Sequence, residues 1–269
     1  MAPVDSHGID PHPAGDVAQT CAVLITSLVA IAAVIAVVRW ARRNHVVWPY
    51  FVLLSGGGTF LMEPMFDHLY GLWFFEQNQW TAIHTYGIYV PVWLPIVYIP
   101  YYGCWTTFLI NRWSRGATTQ DVVKLYLGSV ALAATAEMFY INLVRLYNYQ
   151  DHQPFRIAGY PPWVAFVNGV PPFLASLVYF RLIPMLRRRE YLAILPVVPM
   201  CFAVDSFGGS SLYLAARHYW HHPPMALLGA LALLTVVGSF ELIRFAARLA
   251  GLDPQPASTE PETRTAVAA

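Results

Sequence analysis

One apolar stretch of this chain ends on acidic residues, and it reads Ser55-Gly-Gly-Gly-Thr-Phe-Leu-Met-Glu63-Pro64-Met-Phe-Asp67-His68. Three consecutive glycines disfavour a helix interior by roughly 1 kcal/mol each relative to alanine, but they let a neighbouring backbone or a ligand approach closely. Glu63 lies near the end of the hydrophobic segment, where a charge is costly to bury and usually serves a function. The stretch therefore predicts a membrane-embedded segment that carries a functional acid.

The composition predicts a membrane protein. The 269 residues are 57% hydrophobic and only 12% charged, whereas soluble domains carry about 25% charged residues. A net charge of +1 without a long basic block argues against a nucleic-acid partner. Cys21, Cys104 and Cys201 are far apart and lack metal-ligand spacing, so we expect neither a metal nor another cofactor. The expected partners are membrane lipids and a lipophilic small molecule.

The hydrophobic pattern predicts an all-α bundle of about seven membrane spans. They cover residues 20–38, 47–65, 86–110, 122–146, 163–183, 191–218 and 223–249. Each is long enough to cross a hydrocarbon core of about 30 Å at about 1.5 Å per residue. Residues 20–250 form the predicted membrane domain, between disordered tails at 1–19 and 251–269. No internal repeat is visible, which argues against a transporter built from duplicated halves.

The basic residues predict the orientation of these spans. Of the sixteen Lys and Arg residues, all but Arg145, Arg156 and Arg217 lie at or near the connections after spans one, three, five and seven. Because positive charge is enriched in cytoplasmic loops, we predict that the N-terminus is outside and the C-terminus is cytoplasmic. We expect a multi-pass protein of a bacterial plasma membrane.

Four polar residues from four predicted spans fall in the middle or outer half of the bilayer. They are Glu63, Glu137, Asn168 and Asp205. A charged carboxylate at the bilayer centre costs at least ~2.5 kcal/mol, so such residues should face inward and find partners. We therefore predict one polar cavity within the bundle. The alternative for each acid is a purely structural hydrogen bond, and the loop residues Asp67 and His68 are expected to be solvated.

Two carboxyls in an apolar pocket suit acid and base catalysis. A buried carboxyl is favoured in its protonated form, since the ionised form loses its hydration. Such a group can donate a proton, and a better solvated carboxyl can accept one. This pairing fits dehydration, ketal formation and carbocation cyclisation of lipophilic substrates. The residues alone nominate Glu63, Glu137 and Asp205 for these roles.

Several short motifs between about residues 50 and 180 resemble those of a known family. They are Ser55-Gly56, the pair Glu63-Pro64 followed by Asp67-His68, the run Gly87-Ile-Tyr89-Val-Pro91-Val-Trp93, and Glu137 followed twelve residues later by Tyr149 and then a proline-rich turn. In these features the chain is similar to the AveC family of membrane spirocyclases. The family pattern has aspartate where this chain has Glu63, and proline where this chain has Met138. These departures leave the substrate open.

The resemblance implies a cyclase that closes a spiroketal on a polyketide-like hydroxy-ketone with loss of water. It implies catalytic roles for Glu63, Asp67 and Glu137, and Asp205 joins them as a catalytic candidate from the residue-based argument. The predicted substrate contacts are Asn168, His68, Tyr89, Trp93 and Tyr149.

Two other functions remain open at this stage. A membrane terpene cyclase would use the same acids to protonate an alkene or an epoxide, and the abundant Trp and Tyr residues suit a carbocation. A carrier or receptor of a small lipophilic molecule is consistent with seven spans. Span seven lacks the lysine that a retinal Schiff base would need.

Overall fold

A computed structural model describes residues 14–75, 79–150, 153–220 and 223–252. The predicted tails fall largely outside these ranges. The first helix begins at Asp16, so residues 16–19 are helical and not part of a disordered tail. At the other end Leu252 is buried, and its carbonyl accepts a hydrogen bond of 2.9 Å from the Thr119 amide. The folded domain thus extends slightly beyond the predicted limits at both ends.

The described residues form mostly helices. These are α1 (Asp16–Arg43), α2 (Trp48–Gly58), α3 (Glu63–Tyr70), α4 (Trp93–Tyr98), α5 (Trp105–Trp113), α6 (Thr119–Phe139), α7 (Trp163–Leu182), α8 (Val197–Ala203), α9 (Ser211–Tyr219) and α10 (Met225–Leu249). Short 3-10 helices cover Thr59–Met62, Ile183–Met185 and Arg188–Ile194. Three π-helical segments cover Ile99–Cys104, Tyr140–Val144 and Val204–Gly209.

Within the described part of the chain, five helical stretches are long and apolar enough to cross a membrane. They are Asp16–Arg43, Thr119–Val144, Trp163–Met185, Arg188–Gly209 and Met225–Leu249. They coincide with predicted spans one, four, five, six and seven. Predicted spans two and three correspond to the interrupted helical stretches 48–70 and 93–113, whose glycines, prolines and polar residues make them less apolar. The count of seven and the orientation stay predictions.

Helix α7 lies at the centre of the bundle. It packs against α5, α6, α8 and α10, and most of its side chains are buried. A helix that is apolar all round is expected at such a position. One of its polar side chains is paired with a neighbouring helix, where the Trp113 indole of α5 donates a hydrogen bond of 2.8 Å to Ser176 Oγ.

The glycine run brings α2 into direct backbone contact with the π segment Ile99–Cys104. A Cβ atom on Gly56 would lie 2.3 Å from the backbone nitrogen of Gly103, so the contact requires a glycine at residue 56. On the neighbouring residue, Ser55 Oγ accepts a hydrogen bond of 3.2 Å from the Val198 amide and lies 3.0 Å from the Tyr179 hydroxyl. Ser55 and Gly56 therefore connect α2 to the π segment Ile99–Cys104, to α7 and to α8.

Four short strands add to the predicted all-α architecture. They are β1 (Leu72–Phe74), β2 (Thr81–Thr85), β3 (Ile88–Pro91) and β4 (Tyr147–Tyr149), and they form two antiparallel pairs, β1 with β4 and β2 with β3. Tyr86 and Gly87 turn the β2–β3 hairpin with φ angles of 53° and 76°, values typical of a type I′ turn. The prediction that span three begins at residue 86 is wrong, because residues 88–91 are a strand and the helix begins at Trp93.

Candidate active site

A cavity of about 150 Å³ lies between α3, the stretch 93–104, the end of α6 and the β1–β4 sheet. Its lining includes two carboxyls and one amide, those of Glu63, Glu137 and Asn168, and no basic residue. Nine lining residues are aromatic: Phe66, Phe74, Trp93, Tyr98, Tyr101, Tyr102, Tyr140, Tyr147 and Tyr149. The structure thus places three of the four polar residues that were predicted from their depth around one cavity.

Glu63 lies at the first position of α3 and is only 7% exposed. Its Oε2 atom accepts a hydrogen bond from the hydroxyl of Tyr98, the last residue of α4. Pro64 follows it and fixes the start of the helix, a position that proline favours because its missing N–H is not needed there. Backbone and hydrogen bond together hold this carboxyl in a defined place.

Glu137 lies in the last turn of α6 and is half-buried. Its Oε2 atom accepts a hydrogen bond of 2.6 Å from the hydroxyl of Tyr147 on β4. The π segment Tyr140–Val144 and the left-handed residue Arg145, with φ 54°, turn the chain between the two residues. The carboxyl of Glu137 is therefore oriented by a strand that folds back over the end of its own helix.

Asp67 lies one turn after Glu63 on α3 and is completely buried. The expectation that it is solvated in a loop is wrong, because helix α3 continues past the end of predicted span two. Among the residues that the structure describes, neither carboxyl oxygen of Asp67 has a hydrogen-bond partner. Burial raises the pKa of Asp67 well above its usual range, and the nearby charges of Glu63 and Glu137 raise the pKa further. Burial and these charges thus favour the protonated, neutral form of Asp67.

The β1–β4 sheet forms one wall of the cavity. Its register pairs Leu72 with Tyr149 and Phe74 with Tyr147. Alternate residues of a strand point to the same face, and these four side chains all line the cavity. The sequence analysis missed this wall, although the spacing of two tyrosines around Asn148 is the period-two signal of a half-buried strand.

Two of the three π segments contribute to the site. Ile99–Cys104 carries Tyr101 and Tyr102, and Tyr140–Val144 carries Tyr140. Single π turns within helices often occur at functional sites, because the extra residue changes which side chains face inward. Here they present three further phenol rings to the cavity.

The predicted substrate contacts divide into two groups. Asn168, Trp93 and Tyr149 line the cavity, and Trp93 stacks on Tyr140 with ring centroids 5.2 Å apart. The other two are not brought to it. His68 is exposed, and partial desolvation together with the neighbouring His218 lowers its pKa. Tyr89 stacks on His84 in the β2–β3 hairpin, with ring centroids 3.8 Å apart.

Asp205 lies apart from the cavity. It is 1% exposed, and both of its carboxyl oxygens lie within 3.3 Å of Ser239 Oγ on α10. It belongs to the third π segment, Val204–Gly209, and is not among the lining residues. A shared depth along the bundle therefore does not place it with Glu63 and Glu137.

The described residues include no group of three His, Cys, Asp or Glu side chains placed to hold a metal ion. No family model, curated protein or solved structure that was compared with the chain matches it. The similarity to the AveC family accordingly rests on the short motifs. Of these motif residues, Glu63, Trp93, Glu137 and Tyr149 meet at the cavity.

Proposed function

We propose that the protein is a membrane-embedded cyclase or dehydratase that acts on a lipophilic, polyketide-like substrate by carboxylic acid/base catalysis. One observation carries the proposal: Glu63 and Glu137 come from different helices and line the same aromatic cavity. The motifs similar to those of the AveC family support a reaction of the spiroketal-forming type. No cofactor is required for this chemistry.

Glu63 is the proposed general acid. It is more deeply buried than Glu137, and the neutral Asp67 lies one turn away on the same helix. Two neighbouring carboxyls in an apolar environment cannot both ionise readily, so the pair retains a proton. Asp67 is the proposed reserve from which Glu63 regains its proton after each turnover.

Glu137 is the proposed general base. Its side chain is half-buried, whereas Glu63 is only 7% exposed. The hydrogen bond from Tyr147 orients the carboxylate and stabilises its charge. Where two carboxyls of a site have different environments, the one with the higher proton affinity commonly acts as the acid and the other as the base.

The proposed reaction starts from a hemiketal formed by a hydroxyl and the ketone of the substrate. Glu63 protonates the hemiketal hydroxyl, which leaves as water and generates an oxocarbenium ion. A second substrate hydroxyl attacks this carbon, and Glu137 accepts the proton that it releases. The spiroketal forms with net loss of one water, and proton transfer between the carboxyls resets the site.

The size of the cavity supports a substrate of which only the reacting part is enclosed. A volume of about 150 Å³ accommodates a molecule of roughly the size of benzene. Ala133 and Ala136 of α6 form part of its lining, and Ala136 is exposed on the outer side of the helix. The remainder of a long substrate would extend past these small side chains into the bilayer.

The test is to replace Glu63 and Glu137 singly by glutamine and to assay membranes with a dihydroxy-ketone. Loss of a general acid or base lowers turnover by roughly 10²–10⁴-fold, so each variant should lose at least hundredfold activity. Full activity of both variants would eliminate the proposal. Mass spectrometry of the product, with loss of one water, identifies the reaction.

The aromatic lining favours a second candidate function. Nine aromatic residues around two carboxyls also suit a terpene cyclase, since aromatic faces stabilise carbocations. In that reaction a carboxylic acid protonates an alkene or an epoxide of a prenylated substrate. Supplying such a substrate and the dihydroxy-ketone to the same membranes separates the two functions.

A further inference from the structure

The described lining of the cavity carries two carboxyls and no basic residue, so no cation of the lining balances a carboxylate there. Glu63 and Glu137 line it, and both lie close enough to Asp67 to affect its proton affinity. Across the described ranges none of these three carboxyls forms an ion pair. A ligand with a positive charge would lower the cost of ionising any of them, because an opposite charge within a few ångströms favours the carboxylate.

The aromatic walls of the cavity also favour a positively charged ligand. Trp93 stacks on Tyr140 with an interplanar angle of 10°, and Tyr147 lies next to both rings. The faces of such rings are electron-rich and attract organic cations, including quaternary ammonium groups. An anionic ligand would lie against the carboxyls and the electron-rich ring faces. No basic residue of the described lining would offset the repulsion.

An unpartnered polar atom of the lining is consistent with a ligand. The Tyr149 side chain lines the cavity and is 1% exposed, and within the described residues its hydroxyl has no hydrogen-bond partner. Buried polar groups are usually paired, so a bound molecule would supply the partner that this hydroxyl lacks.

We propose that the cavity binds lipophilic organic cations and selects them over neutral and anionic molecules of the same shape. This inference deepens the proposed function and rests on the same site. In the proposed cyclisation the cation is the oxocarbenium ion, so the site would bind the charged intermediate more tightly than the substrate or product. A stable spirocyclic ammonium ion then acts as a mimic of that intermediate.

Three probes of matched shape test the charge preference. They are the cation 5-azoniaspiro[4.4]nonane, the hydrocarbon spiro[4.4]nonane and a spiro[4.4]nonane carboxylate. Binding is measured by calorimetry with the full chain in phosphatidylcholine nanodiscs, and empty nanodiscs give the blank for partition into lipid. We expect the cation to bind at least about tenfold more tightly than the hydrocarbon, and the carboxylate to bind more weakly than either. Equal affinity of the cation and the hydrocarbon overturns the proposal.

Variants assign the preference to the site. Glu137→Gln should weaken binding of the cation by about tenfold or more, and it should leave binding of the hydrocarbon unchanged, which shows that the cavity remains folded. The matched control is Asp205→Asn, which neutralises a buried acid outside the cavity and should leave the affinity for the cation as it is. A loss in this control equal to that of Glu137→Gln contradicts the assignment.

The binding measurement is independent of turnover, so the two proposals fail separately. If the cation binds selectively while Glu63→Gln and Glu137→Gln keep full activity, the charge preference stands and the proposed catalysis falls. If both variants lose activity while the cation and the hydrocarbon bind equally, the catalysis stands and the charge preference falls.

Discussion

The hydroxyl of Tyr147 donates a hydrogen bond of 2.6 Å to the carboxylate of Glu137, ten residues earlier in the chain. The chain between them forms a π segment and a left-handed turn, so that β4 returns over the end of α6. The same short strand pairs with β1 and completes the cavity wall. One local reversal of the chain thus both encloses the cavity and orients the proposed base.

The change Tyr147→Phe tests this orientation. Removal of one hydrogen bond to a charged acceptor costs about 1.5–3 kcal/mol, which corresponds to a decrease in kcat of roughly tenfold to hundredfold. The KM should change little, because the ring that contacts the substrate is kept. Steady-state kinetics in membranes measure both quantities.

The control for this change is Tyr140→Phe, which alters another lining tyrosine that does not bond to Glu137. It should keep most of the activity. The double variant Tyr147→Phe with Glu137→Gln should be no less active than Glu137→Gln alone, since the tyrosine acts through the carboxylate. Additive losses in the double variant would show that Tyr147 acts independently of Glu137.

The buried carboxyl of Asp67 makes the stability of the protein depend on pH. Its folded-state pKa is raised well above the usual value of 3.8 by burial and by Glu63 and Glu137. Above pH 3.8 the unfolded chain gives up this proton while the folded chain keeps it, so the free energy of unfolding falls as pH rises, by at most about 1.4 kcal/mol per pH unit. This stabilisation is complete below the unfolded pKa and is lost as pH rises through the folded pKa.

The change Asp67→Asn should therefore flatten the decline of the melting temperature as the pH rises above about 4. The control is Asp121→Asn, which neutralises a partly exposed aspartate in the first turn of α6. Because an exposed aspartate is ionised in both the folded and the unfolded state above about pH 4, this change should leave the slope of the melting temperature unchanged. An identical slope in the wild type and in Asp67→Asn would contradict the inferred neutral state of Asp67.

The site could be predicted from the sequence only in part, and the reasons are geometric. Depth in the bilayer, which follows from residue number along a helix, correctly grouped Glu63, Glu137 and Asn168. Depth does not determine the direction in which a side chain faces, and the Asp205 carboxyl faces Ser239 of α10 and not the cavity. The apolar helices were predictable because hydropathy over about twenty residues is a strong signal.

The strands were missed for a different reason. Each is three to five residues long, and within aromatic-rich sequence so short a run does not separate period two from a helical pattern. Asp67 was misplaced because the end of a hydrophobic run was taken as the end of the buried region. Helix α3 instead continues under the sheet, where Phe66 and Tyr70 are also buried.

Ser239 provides a prediction that separates the structural acid from the catalytic ones. Its hydroxyl is the hydrogen-bond donor to the buried Asp205, so Ser239→Ala leaves that carboxyl without this partner and should cost about 1–3 kcal/mol of unfolding free energy. Turnover per folded molecule should stay within about twofold, because Asp205 is outside the cavity. Thermal unfolding in detergent and kinetics in membranes measure the two effects.

The matched control is Thr235→Val, one turn earlier on α10. Thr235 is also buried, but its hydroxyl bonds only to the Leu231 carbonyl of its own helix, so its loss should cost little. If Ser239→Ala reduces activity as strongly as Glu137→Gln does, Asp205 belongs to the catalytic group after all.

The glycine run offers a comparison of two neighbouring positions in one helix. Gly56→Ala places a methyl group against the backbone of Gly103, and such overpacking typically costs about 1–3 kcal/mol. Gly58→Ala meets nothing within 4 Å, so it should be neutral or stabilise the helix by up to about 1 kcal/mol. Because the displaced segment Ile99–Cys104 carries Tyr101 and Tyr102 into the cavity, Gly56→Ala should lower turnover as well as the melting temperature. Equal melting temperatures for the two variants would show that α2 and this segment are not in the close contact on which the shape of the cavity depends.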